Sequence, residues 1–330
     1  MADSRNTDTT STRGRPRGAA GGGANGRRGG GGRGGGGGGG ASRARRGLRR
    51  EIPGTLGVIA DPGDFAAMRG YRSFAFTDHE DYLAQADALL RSLALRGIHT
   101  TVVLFDPEEY ADHCAERGTD PDTSAARTRF TADLAGTAAS LPYGEEPLSA
   151  LLPRLVDEAV RQATWEYATV LLSGIGSCAD CGEDIGQASF DRAALILRRL
   201  LERAGPGHHH LVCSVPTQDE QLVAVLHADT TGDPAAPPGA GGRERFDFVT
   251  VLATGLALGG PGGLVLRTTT GDLRDRVHGW RLDRGRLVTL SAAAVFNAYC
   301  TDADTGEPVP PEPGVEYCPG YEVDEAGPPH

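Results

Sequence analysis

Residues 7–47 are built mainly from Gly, Arg, Ser and Ala and contain no aromatic side chain. A segment of that composition cannot bury enough apolar surface to offset the entropy of ordering its backbone. It is expected to be flexible coil, which confines folding to the residues C-terminal to it. Charge divides the chain at the same place. Residues 1–50 hold twelve Arg and two Asp, a charge of +10. Residues 51–330 hold twenty-one Arg against forty-two acidic residues, a charge of −21, and the chain as a whole carries −11.

All 33 basic residues are Arg. Together with the abundance of Gly, Ala and Pro this points to GC-rich coding, so the missing Lys is no sign of selection for guanidinium chemistry. It does exclude a Walker-type phosphate loop, which needs a Lys. The basic start runs into glycine and offers no apolar stretch of the kind a secretory signal needs. The longest apolar run, near 248–258, covers about eleven residues against the roughly twenty that span a bilayer. The expectation is a cytoplasmic chain with no membrane partner, whose six cysteines are reduced thiols or metal ligands and not a disulfide framework.

Within the tail, Arg28-Gly29-Gly30 and Arg33-Gly34-Gly35 resemble the RGG segments that contact single-stranded nucleic acid through charge and stacking. On that reading Arg27, Arg28, Arg33, Arg45, Arg46, Arg49 and Arg50 supply weak nonspecific contacts to nucleic acid. The bland alternative is a low-complexity linker, favoured by the absence of stacking aromatics. The acidic body also competes for the same arginines.

The body begins near Ile52. Runs 55–60 and 71–76 have β character, and Thr77 with Glu80 three residues later makes a capping box for a helix. That helix carries Tyr82, Leu83, Ala86, Leu89, Leu90 and Leu93 on one face and stops at Gly97. A strand over 98–105 completes a βαβ unit with parallel strands. Helices are expected after Asp106-Pro107, over 124–139, and over 148–163 with a kink or restart at Pro153. Residues 167–173 read as a buried strand in preference to the last turns of that helix, because glycines follow and 190–201 is clearly amphipathic.

After Gly207 the pattern changes to clustered strands at 209–215, 221–228, 264–269, 277–282 and 286–290, with helices at 246–258 and 292–299 and a Pro/Gly-rich insertion at 231–242. No internal repeat is evident. The fold class is therefore α/β, with α+β character in the C-terminal half. The expected organisation is a disordered Arg/Gly-rich tail (1–51), an α/β domain (52–206), a mainly antiparallel α+β part (207–300) and an acidic, Pro-rich extended or disordered tail (301–330).

The stretch from Gly174 to Gly182 carries the most chemical information. On the strand reading it sits at the carboxyl end of a strand, where open α/β sheets place ligands. Cys178 and Cys181 have the spacing of half a zinc site, which Cys213 and Cys300 would complete as one structural zinc. Cys318 and His208, His209 and His210 are further possible donors, although strand alternation sends adjacent histidines to opposite faces. Dithiol redox chemistry wants the attacking cysteine at a helix N-terminus, and here the helix starts later. Gly174 to Ala179 also fits a loose G-x-G-x-x-A phosphate pattern, but acidic Glu183 and Asp184 follow. A plain glycine turn is the remaining reading.

The cluster Asp78, His79, Glu80 and Asp81 is explained by helix capping as well as by an active site. Trp165 and Trp280 read as core or domain-contact aromatics. No deaminase H-x-E element or G-x-S-x-G elbow occurs. The functional expectation is a binding or regulatory protein with a protein or small-molecule partner. The competing expectation is an α/β enzyme, or a zinc-stabilised protein, using the 174–182 loop.

Overall fold

In the computed structural model, strands β1 (Gly54–Val58) and β2 (Thr100–Leu104) pair in parallel, with Thr55 opposite Thr101. Residues 54–232, 242–271, 274–302 and 305–323 are described. The expected tail, its seven arginines and most of the 231–242 insertion lie outside them. Both parallel strands run into the same Asp-Pro helix start. Asp61 accepts from the N–H groups of Gly63 and Asp64 to begin α1 (Pro62–Met68), and Asp106 accepts from those of Glu108 and Glu109 to begin α3 (Pro107–Arg117). Proline fits the first helical position because its missing N–H would have no intrahelical partner there.

Between them, α2 (His79–Leu95) is capped by Asp78, which accepts from the Asp81 N–H at 3.0 Å. The expected Thr77 capping box is thus displaced by one residue, since Asp is at least as good a cap as Thr. The helix ends as the glycine implied. Gly97 has φ +70°, its N–H bonds Ala94 O, and the Ile98 N–H bonds Leu93 O, the two-bond closure of a left-handed helix terminus.

Residues 71–76 are not a strand. Their aromatic rings pack inward, Tyr71 on Tyr110 at 5.8 Å, Phe74 on Phe65 at 5.6 Å and Phe76 on Tyr82 at 5.1 Å. Ring burial holds this strap, and no ladder is needed. Helix α4 (Ser124–Leu134) stops short of the expected 139, and β3 (Ser140–Pro142) follows, antiparallel to β2. The first sheet has the order β1-β2-β3.

Helix α5 (Leu148–Gly174) runs uninterrupted for 27 residues with Pro153 inside it. The strand expected at 167–173 is therefore its last turns. Ala168 and Leu172, one helical turn apart, insert into the C-terminal core, while Leu148, Leu151 and Leu155 belong to the N-terminal core. One helix thus serves both cores. Helix α6 (Ile185–Ala204), expected with the N-terminal domain, packs in the second core, so the change of core falls within α5 and not at 206.

The second sheet is antiparallel in the order β5-β4-β6-β7-β8, formed by β4 (His208–Pro216), β5 (Gln221–Asp229), β6 (Gly262–Thr269), β7 (Asp275–Asp283) and β8 (Arg286–Thr289). Helix α7 (Gly242–Leu258) is buried from Asp247 to Leu256 and packs on both the sheet and the α5–α6 pair. Gly255 makes this possible, because a Cβ there would lie 2.6 Å from Leu282 Cδ1 and 2.8 Å from Val215 Cγ2. Helix α8 (Ala292–Tyr299) covers the opposite sheet face, with Val295 over Gly279.

Part of the segment after 301 is incorporated into the second sheet. Strand β9 (Val315–Cys318) pairs in parallel with β7. Tyr321 then ties the segment down, accepting from Trp280 Nε1 at 2.9 Å and donating to Leu200 O at 2.6 Å. Hydrophilic composition hid a segment anchored by a few aromatic groups. Among the described residues no helix is long and apolar enough to cross a membrane.

Candidate functional site

A groove lies between β1 and α4 in the N-terminal module. Strand β1 is an edge strand, and α4 packs against it. Gly57 permits this approach, since a Cβ there would lie 3.0 Å from Thr131 Oγ1 and 3.2 Å from Phe105 Cδ2. The cavity is about 550 Å³, with Met68, Phe74, Phe76, Tyr82 and Phe105 providing apolar walls and Ser73, Ser124, Thr128 and Thr131 providing hydroxyls.

Arg127 is the one cation among its lining residues. Its guanidinium donates to Ser73 Oγ at 2.7 Å and Ser73 O at 3.0 Å, while Asp122 accepts from the Ser73 N–H at 2.7 Å. The Ser73 hydrogen bonds hold the Asp122 carboxyl below the usual carboxylate range. One serine of the strap is thereby latched between an acid and a base. Tyr82 accepts from the Ile59 N–H at 3.1 Å, and burial raises its phenol pKa.

At the carboxyl ends of β1 and β2 lies an acidic set. Burial, and then the charges of Asp106 and Asp61, raise the Asp64 pKa. Burial, and then Asp106 and Glu166, raise that of Glu109. In the 78–81 cluster, Asp78 acts as the cap and the His79 ring packs at a tilt against Phe65, with Nε2 3.0 Å from Ile59 O. Capping accounts for the Asp78 contact, and packing on Phe65 for the place of His79.

The 174–182 loop joins two helices and does not follow a strand, because α5 continues to Gly174. The phosphate pattern loses its strand-to-turn context. Gly176 and Gly182 adopt φ of +83° and +74°, the Gly182 N–H bonds Cys178 O at 2.9 Å, and the Cys178 N–H bonds Glu183 O at 2.8 Å. Cys178 is partly exposed and Cys181 exposed.

The other cysteines lie elsewhere. Cys213 faces the core on β4, where burial pushes its thiol up to about 12. Cys300 follows α8 on the other side of the sheet, its Sγ donating to Tyr317 Oη at 3.7 Å. Cys318 donates to Glu316 O at 3.8 Å. Among the described residues no group of three or more His, Cys, Asp or Glu is placed to hold a metal. The expected set of Cys178, Cys181, Cys213 and Cys300 is therefore not gathered, since strand alternation turns Cys213 into the core and the sheet separates it from Cys300.

Alternation also divides the histidines. His209 is buried, while His208 and His210 face out, His210 stacking on His227 across the strands at 4.8 Å. Trp280 is a core residue, and Trp165 packs on Phe246 at 6.2 Å. Sequence reasoning missed the groove altogether. Its residues come from β1, α1, the strap, α2, the end of β2 and α4, and only Gly57 in an edge strand hinted at a close approach.

These features define a mixed α/β protein whose N-terminal module carries a half-open, largely apolar groove with one cation. Residues 43–146 match the family model described as Domain of unknown function (DUF8829), and this span contains every lining residue of the groove. No curated protein and no solved structure matches the chain.

Proposed function

We propose that this is a small-molecule-binding protein whose ligand sits in the β1–α4 groove with a flat apolar body on the Phe74, Phe76 and Phe105 side and a carboxylate at Arg127. The observation that carries this reading is the lining itself. Its volume is in the ordinary range for ligand pockets, its walls are apolar, and its polar groups are few and convergent. Among the described lining residues there is no His, Cys, Asp or Glu, and burial raises the phenol pKa of Tyr82, so general acid–base chemistry is poorly supplied there. That supports recognition over catalysis. A guanidinium has five donors, and Ser73 takes two, which leaves capacity for a bidentate anion.

The latch at Ser73 gives such a ligand a means of signalling, because a carboxylate competing for Arg127 would loosen the strap. The Arg/Gly tail adds weak nonspecific anion contacts on this reading. Thermal-shift and calorimetric titration of the full chain with aromatic carboxylates and their neutral amides tests the proposal. Carboxylates are expected to raise the melting temperature, and Arg127→Ala is expected to weaken them by about 10- to 100-fold, the worth of a charge-assisted hydrogen bond. The amides should be little affected. Ala132→Trp, which fills the groove from α4, should abolish binding. Carboxylate binding unchanged in both variants would overturn the assignment.

A further inference from the structure

Strand β5 is the last strand on one side of the second sheet. The His227 N–H bonds Glu244 Oε2 of α7 at 3.2 Å, so at His227, opposite His210, the backbone points away from β4. Antiparallel pairing repeats that direction at every second residue, which places the N–H and C=O groups of Val223 and Val225 on the same outer edge. Among the described residues nothing bonds them. Edge strands are commonly guarded by charge, proline or a bulge. Residues 221–226 carry no charge and no proline, and the register runs unbroken from Gln221 to Asp229. Val223 and Val225 are 44% and 38% exposed, while Leu222, Ala224 and Leu226 fill the core.

A cavity of about 500 Å³ lies along this edge, between β5, α5 and α7. Val160 and Trp165 of α5, with the two valines of β5, give it apolar walls. Its carboxylates are Asp157, Glu244 and Asp247. Arg161 is the one guanidinium among its described lining residues, and it already pairs with Glu158 and Asp247. The lining therefore carries excess negative charge. We propose that this edge is a docking site for an extended, basic segment of a partner protein, which adds to β5 as a further strand. Main-chain bonds to Val223 and Val225 supply the pairing, and side chains of the added strand alternate between two faces. One set continues the valine row on the open face of the sheet. The other meets the carboxylates on the helix side, where Arg or Lys is the complementary residue. A second copy is the poorer occupant, because pairing β5 with β5 brings like carboxylates together. The site shares no lining residue with the β1–α4 groove, so either can exist without the other.

The test titrates the full chain into a fluorescein-labelled peptide of alternating Arg and Val, read by anisotropy, with mass in solution measured by light scattering. One control peptide is N-methylated along its backbone, and another has Glu in place of Arg. Saturable binding of one peptide per chain is expected, and each control should bind about 10-fold more weakly or worse. Val225→Pro removes an outward N–H at a position where an edge strand accepts proline. It should weaken binding by about 10-fold while keeping the wild-type circular dichroism. Asp157→Asn, at an exposed helical position away from the ladder, should weaken it by about 2- to 5-fold, the worth of an exposed ion pair. Equal binding of the methylated peptide would mean charge attraction alone, and a peptide-free dimer that Val225→Pro dissociates would mean that a second copy takes the edge. Either result, unchanged binding by Val225→Pro, or the absence of saturable binding would overturn the proposal.

Discussion

His209 shows how one buried residue couples stability to pH. Its Nδ1 lies 3.0 Å from Thr268 Oγ1, and its Nε2 lies 2.8 Å from Thr230 Oγ1 and 3.1 Å from Gly205 O. The ring thus ties the end of α6 to β4, β6 and the end of β5. Burial, opposed by the bond to Gly205 O, pushes its pKa below the ordinary 6.5. The folded chain therefore binds fewer protons at this site than the unfolded chain does. Its contribution is complete above the ordinary value and is lost as pH falls through the folded one. The denaturation midpoint is expected to drop between about pH 7 and pH 5, and His209→Gln should flatten that dependence. At neutral pH the variant should be less stable by about 1–3 kcal/mol, the cost of disturbing buried hydrogen bonds. Equilibrium denaturation at several pH values checks both. The alternation along this strand was legible in the sequence, but which ring it buries, and the three partners from separate elements that hold it, were not.

Among elements, α5 has the largest mechanical role, because its first turns lie in one core and its last turns in the other. Ala163, exposed between the two groups, tests that role. Proline there removes a backbone bond and clashes with the preceding turn, at a cost of about 3 kcal/mol. Ala163→Pro is expected to separate one melting transition into two, with Trp280 fluorescence following the C-terminal core and circular dichroism reporting both. Coincident transitions in the variant would mean that other contacts couple the cores. The sequence showed the helix's start and apolar face. It misled at 167–173, where a short apolar run between small residues suits a buried strand and a buried helix equally.

At the scale of the whole molecule, residues 1–50 carry +10 and the remainder −21, an opposition expected to set how the chain meets anions. If the seven tail arginines contact a single strand, the affinity should fall with salt with a log–log slope of at most about −5, roughly 0.7 per neutralised phosphate. Removing residues 1–50 is expected to abolish nucleic-acid binding while leaving groove binding intact. Fluorescence anisotropy across a salt series measures this, and comparable binding by the truncated chain at moderate salt would refute it.

By itself the sequence determined where apolar periodicity begins, that α2 stops at Gly97, and that parallel strands precede an antiparallel set. Those are local properties, fixed by side chains within a few residues of one another. Tertiary structure alone decided that residues 71–76 form an aromatic strap, that 315–318 join a sheet, that Cys213 points into the core, and that Ser73, Asp122 and Arg127 meet at the groove. Apart from the strap's contacts to Phe65 and Tyr82, these depend on partners some tens of residues away or more, and which partner is reached depends on how the elements pack, which periodicity along the chain does not record.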